Sequence, residues 1–152
     1  MKFTLHETFN APPETVFAAM TDLEQLPRWM NGVEKIEPLT EGGFVPGARF
    51  RETRKMQGKT ATEEFVVGQV EPPHRWQLQV DGSKGSSGRG RYDFRYHLRP
   101  IKEGSALEMQ AEISGMGLLG ELLGFLFMKR MFRKNIAKDH AALKTYLQQR
   151  DA

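Results

Sequence analysis

The chain has 152 residues, of which 39% are hydrophobic and 27% charged, with a formal net charge of +3. That composition is ordinary for a soluble globular protein, and the length allows roughly two thirds of the unfolded surface to be buried. There is no cysteine, which excludes a disulfide framework, a thiolate metal site and a cysteine nucleophile.

The absence of cysteine suits a reducing compartment. No unbroken apolar run approaches the ~20 residues of a membrane span. The first ten residues alternate in polarity where a signal peptide would need a continuous apolar core. A cytoplasmic protein is therefore expected. The basic residues gather at Lys129, Arg130, Arg133, Lys134 and Lys138, and at Arg89, Arg91, Arg95 and Arg99. A basic face can attract nucleic acid or anionic lipid, but at this modest density the simpler reading is solvated faces of a helix and a strand. No nucleic-acid partner is expected.

In chain order, Phe3, Leu5 and Phe9 alternate with Thr4, His6, Thr8 and Asn10, the period-two signature of a half-buried strand. Pro12 and Pro13 end it, and proline suits the first turn of a helix. Val16, Phe17 and Met20 then recur at helical spacing over 14–20. A second short helix is expected over 23–29, closed by Asn31-Gly32. Extended segments follow at 33–39, 48–56, 60–70 and 75–80, separated by Glu41-Gly42-Gly43, Gln57-Gly58 and Pro72-Pro73. Two further strands are clear. Tyr92, Phe94, Tyr96 and Leu98 alternate with charged and polar residues, as do Leu107, Met109, Ala111 and Ile113.

After Gly115 and Gly117 the period changes. Leu118, Leu122, Phe125, Phe132, Ile136, His140, Leu143 and Leu147 recur at steps of three and four, the stripe of an amphipathic helix, which predicts a continuous helix over 116–148. Its first half is apolar around most of its circumference, so that half must be enclosed or face something other than water. Strands joined by short turns pair antiparallel, and a sheet with one polar face needs its other face covered. Only the terminal helix is long enough to cover it. The expected fold is α+β.

Several motifs carry a resemblance. They are Phe9-Asn10-Ala11-Pro12-Pro13-Glu14-Thr15-Val16-Phe17, Leu26-Pro27-Arg28-Trp29-Met30, Pro46-Gly47-Ala48-Arg49-Phe50, Glu71-Pro72-Pro73-His74-Arg75-Trp76 and Ala142-Leu143-Lys144 on the leucine-rich terminal helix. Through them the sequence resembles the START-like, or SRPBCC, superfamily in its polyketide cyclase/dehydrase-type branch, over essentially the whole chain, 1–152 as one domain. The resemblance implies a helix-grip fold: a curved antiparallel sheet of six or seven strands around a long C-terminal helix, with two short helices after strand one and a pocket between sheet and helix. The superfamily includes lipid carriers, hormone and quinone binders, cyclases and partner-binding modules, so fold alone does not choose a function.

If Phe50 points inward, as the family pattern implies, so do Glu52, Arg54 and Met56. A two-residue turn at Gln57-Gly58, or one slipped by a residue pair, then brings Ala61, Glu63, Phe65 and Val67 to the same side, and Glu7 shares a face with Leu5 and Phe9. Glu7, Glu52, Arg54 and Glu63 are thus expected to converge on the concave side. Unpaired buried charge costs several kcal/mol, so these groups must pair, stay hydrated or meet a ligand. Arg54 could grip a carboxylate or a polarised oxygen. The alternative is that the strand ends are open to solvent and carry ordinary cross-strand pairs. Trp29, Trp76, Tyr92, Phe94, Tyr96, Phe125 and Phe132 are candidates for an aromatic wall, with Phe65, Met109 and Met128 beside them, although core packing accounts for most aromatics in any domain. Met116, Met128 and Met131 offer soft, adaptable surface.

Other signals are weak. The four histidines show no metal-ligand spacing, so no metal or cofactor is expected. His140 falls on the buried stripe, where a satisfied core histidine is the ordinary reading. The glycine-rich stretch 82–90 lacks the phosphate-loop order and leads into no helix, and reads as a flexible hairpin tip. No serine sits in a GxSxG setting. Three functions follow: a carrier or sensor of a small apolar molecule (lipid, quinone or aromatic metabolite), a cyclase/dehydratase-like enzyme using Glu52, Glu63 or a tyrosine to move protons, or a module meeting a membrane or protein partner through the leucine-rich helix. The ligand's identity and the choice between monomer and homodimer are left open.

Overall fold

A computed structural model describes residues 1–118, 122 and 124–150, the side chain of Phe125 excepted. Among them seven strands form one antiparallel sheet. They are β1 (Lys2–Phe9), β2 (Val33–Pro38), β3 (Arg49–Met56), β4 (Lys59–Glu71), β5 (Arg75–Asp81), β6 (Arg91–Ile101) and β7 (Gly104–Ser114). Their order is β1-β7-β6-β5-β4-β3-β2, a meander whose first strand joins its last. Helices α1 (Pro13–Thr21) and α2 (Leu26–Trp29) follow β1, and α3 (Phe125–Arg150) ends the chain.

Hairpin chemistry sets the register that places the site. Gln57 and Gly58 both have positive φ, at 51° and 79°, the requirement of the two-residue turn whose twist matches its flanking strands. Met56 therefore faces Lys59, Glu52 faces Glu63 and Phe50 faces Phe65. The pairing runs on across the sheet. Phe50, Phe65, Val80, Tyr92 and Ile113 form one row on the inner face, and Val70, Trp76, Tyr96, Met109 and Leu5 form another. A slip of one residue anywhere would turn these rows outward.

The terminal helix crosses this inner face, but it begins later than its periodicity suggests. Gly117 has φ +87° and Gly124 makes a bend, so the regular helix starts at Phe125, with the Met128 amide donating to the Gly124 carbonyl at 2.7 Å. The expected continuous helix from 116 is thus interrupted at glycines, the residues that most readily leave helical φ.

Its two halves behave differently. The second half seats on the body of the protein through fully buried Leu143 and Leu147. Polar ties flank that seat: Lys144 pairs with Glu7 at 2.8 Å, and the Tyr146 hydroxyl and Arg150 Nη1 both donate to Gln25 Oε1 at 2.9 Å. In the first half, Leu126 and Phe127 stand out into solvent, as do Leu118 and Leu122 before it, each more than 70% exposed. Among the described residues, then, these four apolar side chains face outward while Phe132 of the same stretch packs against the sheet.

Candidate functional site

Between the inner face, α2 and α3 lies a cavity of about 320 Å³, at the small end of the ~300–1,000 Å³ typical of ligand pockets. Its walls are divided by chemistry. Trp76, Leu78, Val80, Phe94, Tyr96 and Tyr92 from β5 and β6, Phe50 and Phe65 from β3 and β4, and Phe132 and Ile136 from α3 supply apolar surface. Trp76 and Tyr96 stack at 4.8 Å, and Tyr92 meets Phe132 at 6.0 Å, so sheet and helix touch through aromatic rings. Trp29, on α2, closes one side and is fixed by its indole N–H, which donates to the Ala19 carbonyl at 2.9 Å.

One side is polar. Arg54 donates through Nε to Glu52 Oε1 and through Nη1 to Asp139 Oδ2, both at 3.0 Å. Asp139 also accepts from the backbone and side-chain amides of Asn31, at 3.1 and 3.0 Å. The three charged side chains are only 10–15% exposed. The alternative of solvent-open strand ends is therefore overturned. Arg54 is already held by two carboxylates, and its Nη2 has only the Met30 sulfur at 4.0 Å.

Burial pushes the Glu52 carboxyl up against the opposing pull of Arg54, with Asp139 and Glu63 adding to the rise. Burial draws the Arg54 guanidinium down, but Glu52 and Asp139 together outweigh it and the net shift is upward. The Tyr96 phenol is raised by burial and then by Glu52 and Asp139. Among the described residues its hydroxyl has no hydrogen-bond partner, so it stays neutral and free to bond a guest.

Among the described residues two buried polar atoms have no partner, Glu63 Oε2 and His140 Nδ1. Glu63 Oε1 accepts from the Ser87 amide at 2.8 Å and from the Ser87 hydroxyl. That contact corrects the reading of 82–90 as a flexible tip: residues 82–84 form a 3₁₀ turn, and the Ser86 amide donates to the Thr62 carbonyl at 2.8 Å while the Ser86 hydroxyl accepts from the Thr62 amide at 2.7 Å. The loop is folded onto β4 at the cavity rim. His140 is likewise not the satisfied core histidine expected of its position. Burial lowers its pKa, with Glu7 and Asp139 opposing, so the imidazole is neutral. Because the unfolded histidine takes up a proton near 6.5 and the folded one only at lower pH, stability should fall as pH drops below that value, by up to ~1.4 kcal/mol per unit. Denaturation midpoints of wild type and His140→Gln between pH 7 and pH 5 check this: the variant should lose that share of the slope, and parallel curves would refute it.

Of the residues expected at the site, Trp29, Glu52, Arg54, Glu63, Phe65, Trp76, Tyr92, Phe94, Tyr96 and Phe132 meet at the cavity. Glu7 does not: Lys144 reaches down from α3 and holds it. Met109 is buried in the core between β1 and β6, and half-buried Met128 lies off the cavity. The Phe125 side chain lies outside the described residues. Sequence reasoning missed Asp139, Asn31 and Met30. Asp139 immediately precedes the striped position His140, which was the one available signal that it sits at the helix–sheet boundary.

Helix, curved sheet and the cavity between them match a known architecture, and the sequence matches the family described as polyketide cyclase/dehydrase and lipid transport over residues 1–148. The chain belongs to that family. It has the helix-grip fold of the START-like, SRPBCC superfamily. No curated protein sequence matches it. Solved structures similar to this polyketide cyclase/dehydrase-type chain include a protein from Thermus thermophilus at 21% identity and TM-score 0.78, covering 100% of both chains. Another comes from Nitrosomonas europaea, at 15% identity and TM-score 0.79, covering 99% of this chain and 96% of that one. A third is Ara h 8.0201, at 17% identity and TM-score 0.78, covering 98% of each. At these identities the likeness is one of fold. Among the described residues no helix is long and apolar enough to cross a membrane.

Proposed function

We propose that the protein binds one small, largely apolar molecule between the sheet and α3, as a carrier or sensor. The observation that carries this reading is the cavity itself: a well-packed interior closes such spaces, yet here aromatic side chains from four strands and two helices stand around one. Burial of the guest's apolar surface would supply the affinity at roughly 25 cal/mol per Å². Tyr96, and Arg54 Nη2 in exchange for its long contact with the Met30 sulfur, would orient an acceptor at its polar end. Because Arg54 is already paired with two acids, a fatty-acid-like carboxylate suits the site less than a neutral group or a donor does.

Native mass spectrometry of protein purified from its own host, together with titration of an uncharged apolar fluorophore, tests the proposal. A bound small mass, or probe binding that Ile136→Trp weakens at least about tenfold by filling the cavity, is the expected result. Only empty protein together with no probe binding would end the carrier reading.

A second reading concerns loading. Leu118, Leu122, Leu126 and Phe127 are exposed together, and exposed apolar clusters mark interaction sites. Residues 122–138 contain five basic residues and no acidic one, and Phe132 of the same helix lines the cavity. Apolar residues flanked by cations suit an anionic membrane surface. Sedimentation with vesicles containing anionic lipid should carry wild type down but not Leu126→Glu/Phe127→Glu, while neutral vesicles carry down neither. Equal recovery from both vesicle types would remove the membrane reading.

A further inference from the structure

The polar side of the cavity has hydrogen-bonding groups in use and others left over. Both oxygens of Asp139 are engaged: Oδ1 accepts from the two amides of Asn31, and Oδ2 accepts from Arg54 Nη1. Glu52 is only half engaged. Its Oε1 accepts from Arg54 Nε at 3.0 Å, and among the described residues its Oε2 has no donor. That oxygen is not one of the sealed, partnerless atoms, so it opens onto the cavity that Glu52 lines. Arg54 Nη2 has only the long contact with the Met30 sulfur. Glu52 Oε2 and Arg54 Nη2 are each one carbon removed from the same Nε–Oε1 contact, so the open acceptor and the open donor are neighbours.

Tyr96 brings a third group from another strand. Among the described residues its hydroxyl has no partner, and it is not sealed either. After burial itself, the charges of Glu52 and Asp139 act most on this phenol, which sets the hydroxyl towards the same wall. The wall therefore offers one carboxylate oxygen that only a donor can satisfy, beside a guanidinium nitrogen and a phenol that can donate. Bonds to the charged members of this set are the strong ones. A carbonyl guest has no proton for Glu52. An ammonium has no lone pair for Arg54 or Tyr96. A carboxylate has no proton either, and meets Glu52 and Asp139 with like charge. A hydroxyl group serves both sides with one oxygen.

We propose that the guest is a neutral molecule with a hydroxyl group on a compact ring frame, the hydroxyl seated on Glu52, Arg54 and Tyr96 and the rings against β5 and β6. This inference rests on the proposed binding function and narrows it to one class of ligand. The hydroxyl would donate to Glu52 Oε2 and accept from Arg54 Nη2 or from Tyr96. It would thus take up the open groups of the wall without adding a charge to an enclosed site, where an imperfectly paired charge is costly.

Four probes sharing one ring system separate the possibilities: 2-acetylnaphthalene, the secondary alcohol made by reducing it, 2-ethylnaphthalene and 2-naphthoate. Each is measured by displacement of the uncharged fluorophore from the full chain at neutral pH. The alcohol should bind at least about tenfold more tightly than the ketone, the ordinary worth of a hydrogen bond to a charged group, with the ethyl compound and the acid weaker still. Glu52→Gln keeps an oxygen for Arg54 Nε and turns the open acceptor into an amide donor, so there the ketone should bind at least as tightly as the alcohol. Equal binding of ketone and alcohol to wild type overturns the hydroxyl assignment while leaving the apolar cavity reading intact, and so does an ethyl compound that matches the alcohol. Tightest binding of the acid overturns it in favour of an Arg54 anion grip. An unchanged preference for the alcohol in Glu52→Gln removes Glu52 from the seat and the proposal with it. If the fluorophore binds and none of the four displaces it, the ligand class is wrong; if the fluorophore does not bind at all, the binding function falls first. The wild-type comparison needs no variant to fold.

Discussion

Replacing Arg54 with methionine should cost about 3–5 kcal/mol of folding stability, the usual consequence of removing one partner from a buried charge network. The side chain is of similar length, so the loss is electrostatic more than steric. Glu52 and Asp139 would be left close together without their shared guanidinium, and both are nearly enclosed. The effect should depend on pH in a defined direction. Burial already raises Glu52 above 4.5 in the presence of Arg54; without that cation it should rise further. An acid whose folded pKa lies above its unfolded one binds more protons folded than unfolded, so stability contributed by its protonated form is lost as pH rises through that window. The deficit of Arg54→Met should therefore be small near pH 4 and full at pH 7. Arg54→Lys should fall between, since it restores charge but not the fork that reaches both acids. Urea denaturation at several pH values reads all of this. A loss below about 1 kcal/mol at pH 7 would mean the network is screened like a surface pair.

Trp76→Ala should be comparably severe, at about 3–5 kcal/mol, the range for large aromatic truncations in a core. Trp76 is 3% exposed. It stacks on Tyr96 at 4.8 Å and takes the edge of Phe17 from α1 at 5.3 Å, so it joins the sheet to the helical layer. The residue also lines the cavity, and truncation would merge its own volume with that space. The same variant should thus accept a bulkier apolar probe than wild type does. Thermal denaturation with and without such a probe distinguishes the effects: a large drop in Tm partly restored by the bulky probe is expected. A drop without restoration would mean that the neighbouring rings collapse into the gap.

The strands were legible because one face of each is apolar, and the inner rows of the sheet follow from Tyr92-Phe94-Tyr96 and Leu107-Met109-Ala111 by simple alternation. The hairpin at Gln57-Gly58 was legible too, and with Phe50 inward, as the family resemblance implies, it puts Glu52, Arg54, Glu63 and Phe65 on one side, though alternation alone does not say whether that side is cavity or solvent. What failed involved residues from different elements meeting in space. Glu7 has the right parity to face inward, yet its destination was decided by Lys144, far away in sequence. Asp139 looked like one more charge on a helix face, and only the angle at which α3 crosses β3 makes it a partner of Arg54 and Asn31. Met109 satisfied every criterion for a cavity wall except position along the strand, which no periodicity encodes. The helix start was misplaced because the apolar stripe continues through Gly117 and Gly124, and period alone does not register a backbone that turns.

The uneven seating of α3 has a mechanical consequence. Asp139, Leu143, Lys144, Leu147 and Arg150 fasten one end of α3 by ion pairs, hydrogen bonds and full burial, whereas the other end is held by Phe132 and Ile136 against the cluster of Phe3, Leu5, Met109, Ala111 and Ile113, with Leu126 and Phe127 exposed. Parting Phe132 from Tyr92 would widen the cavity while the fastened end and the sheet beneath it stay assembled. Opening the chamber and melting the protein then draw on separate sets of contacts.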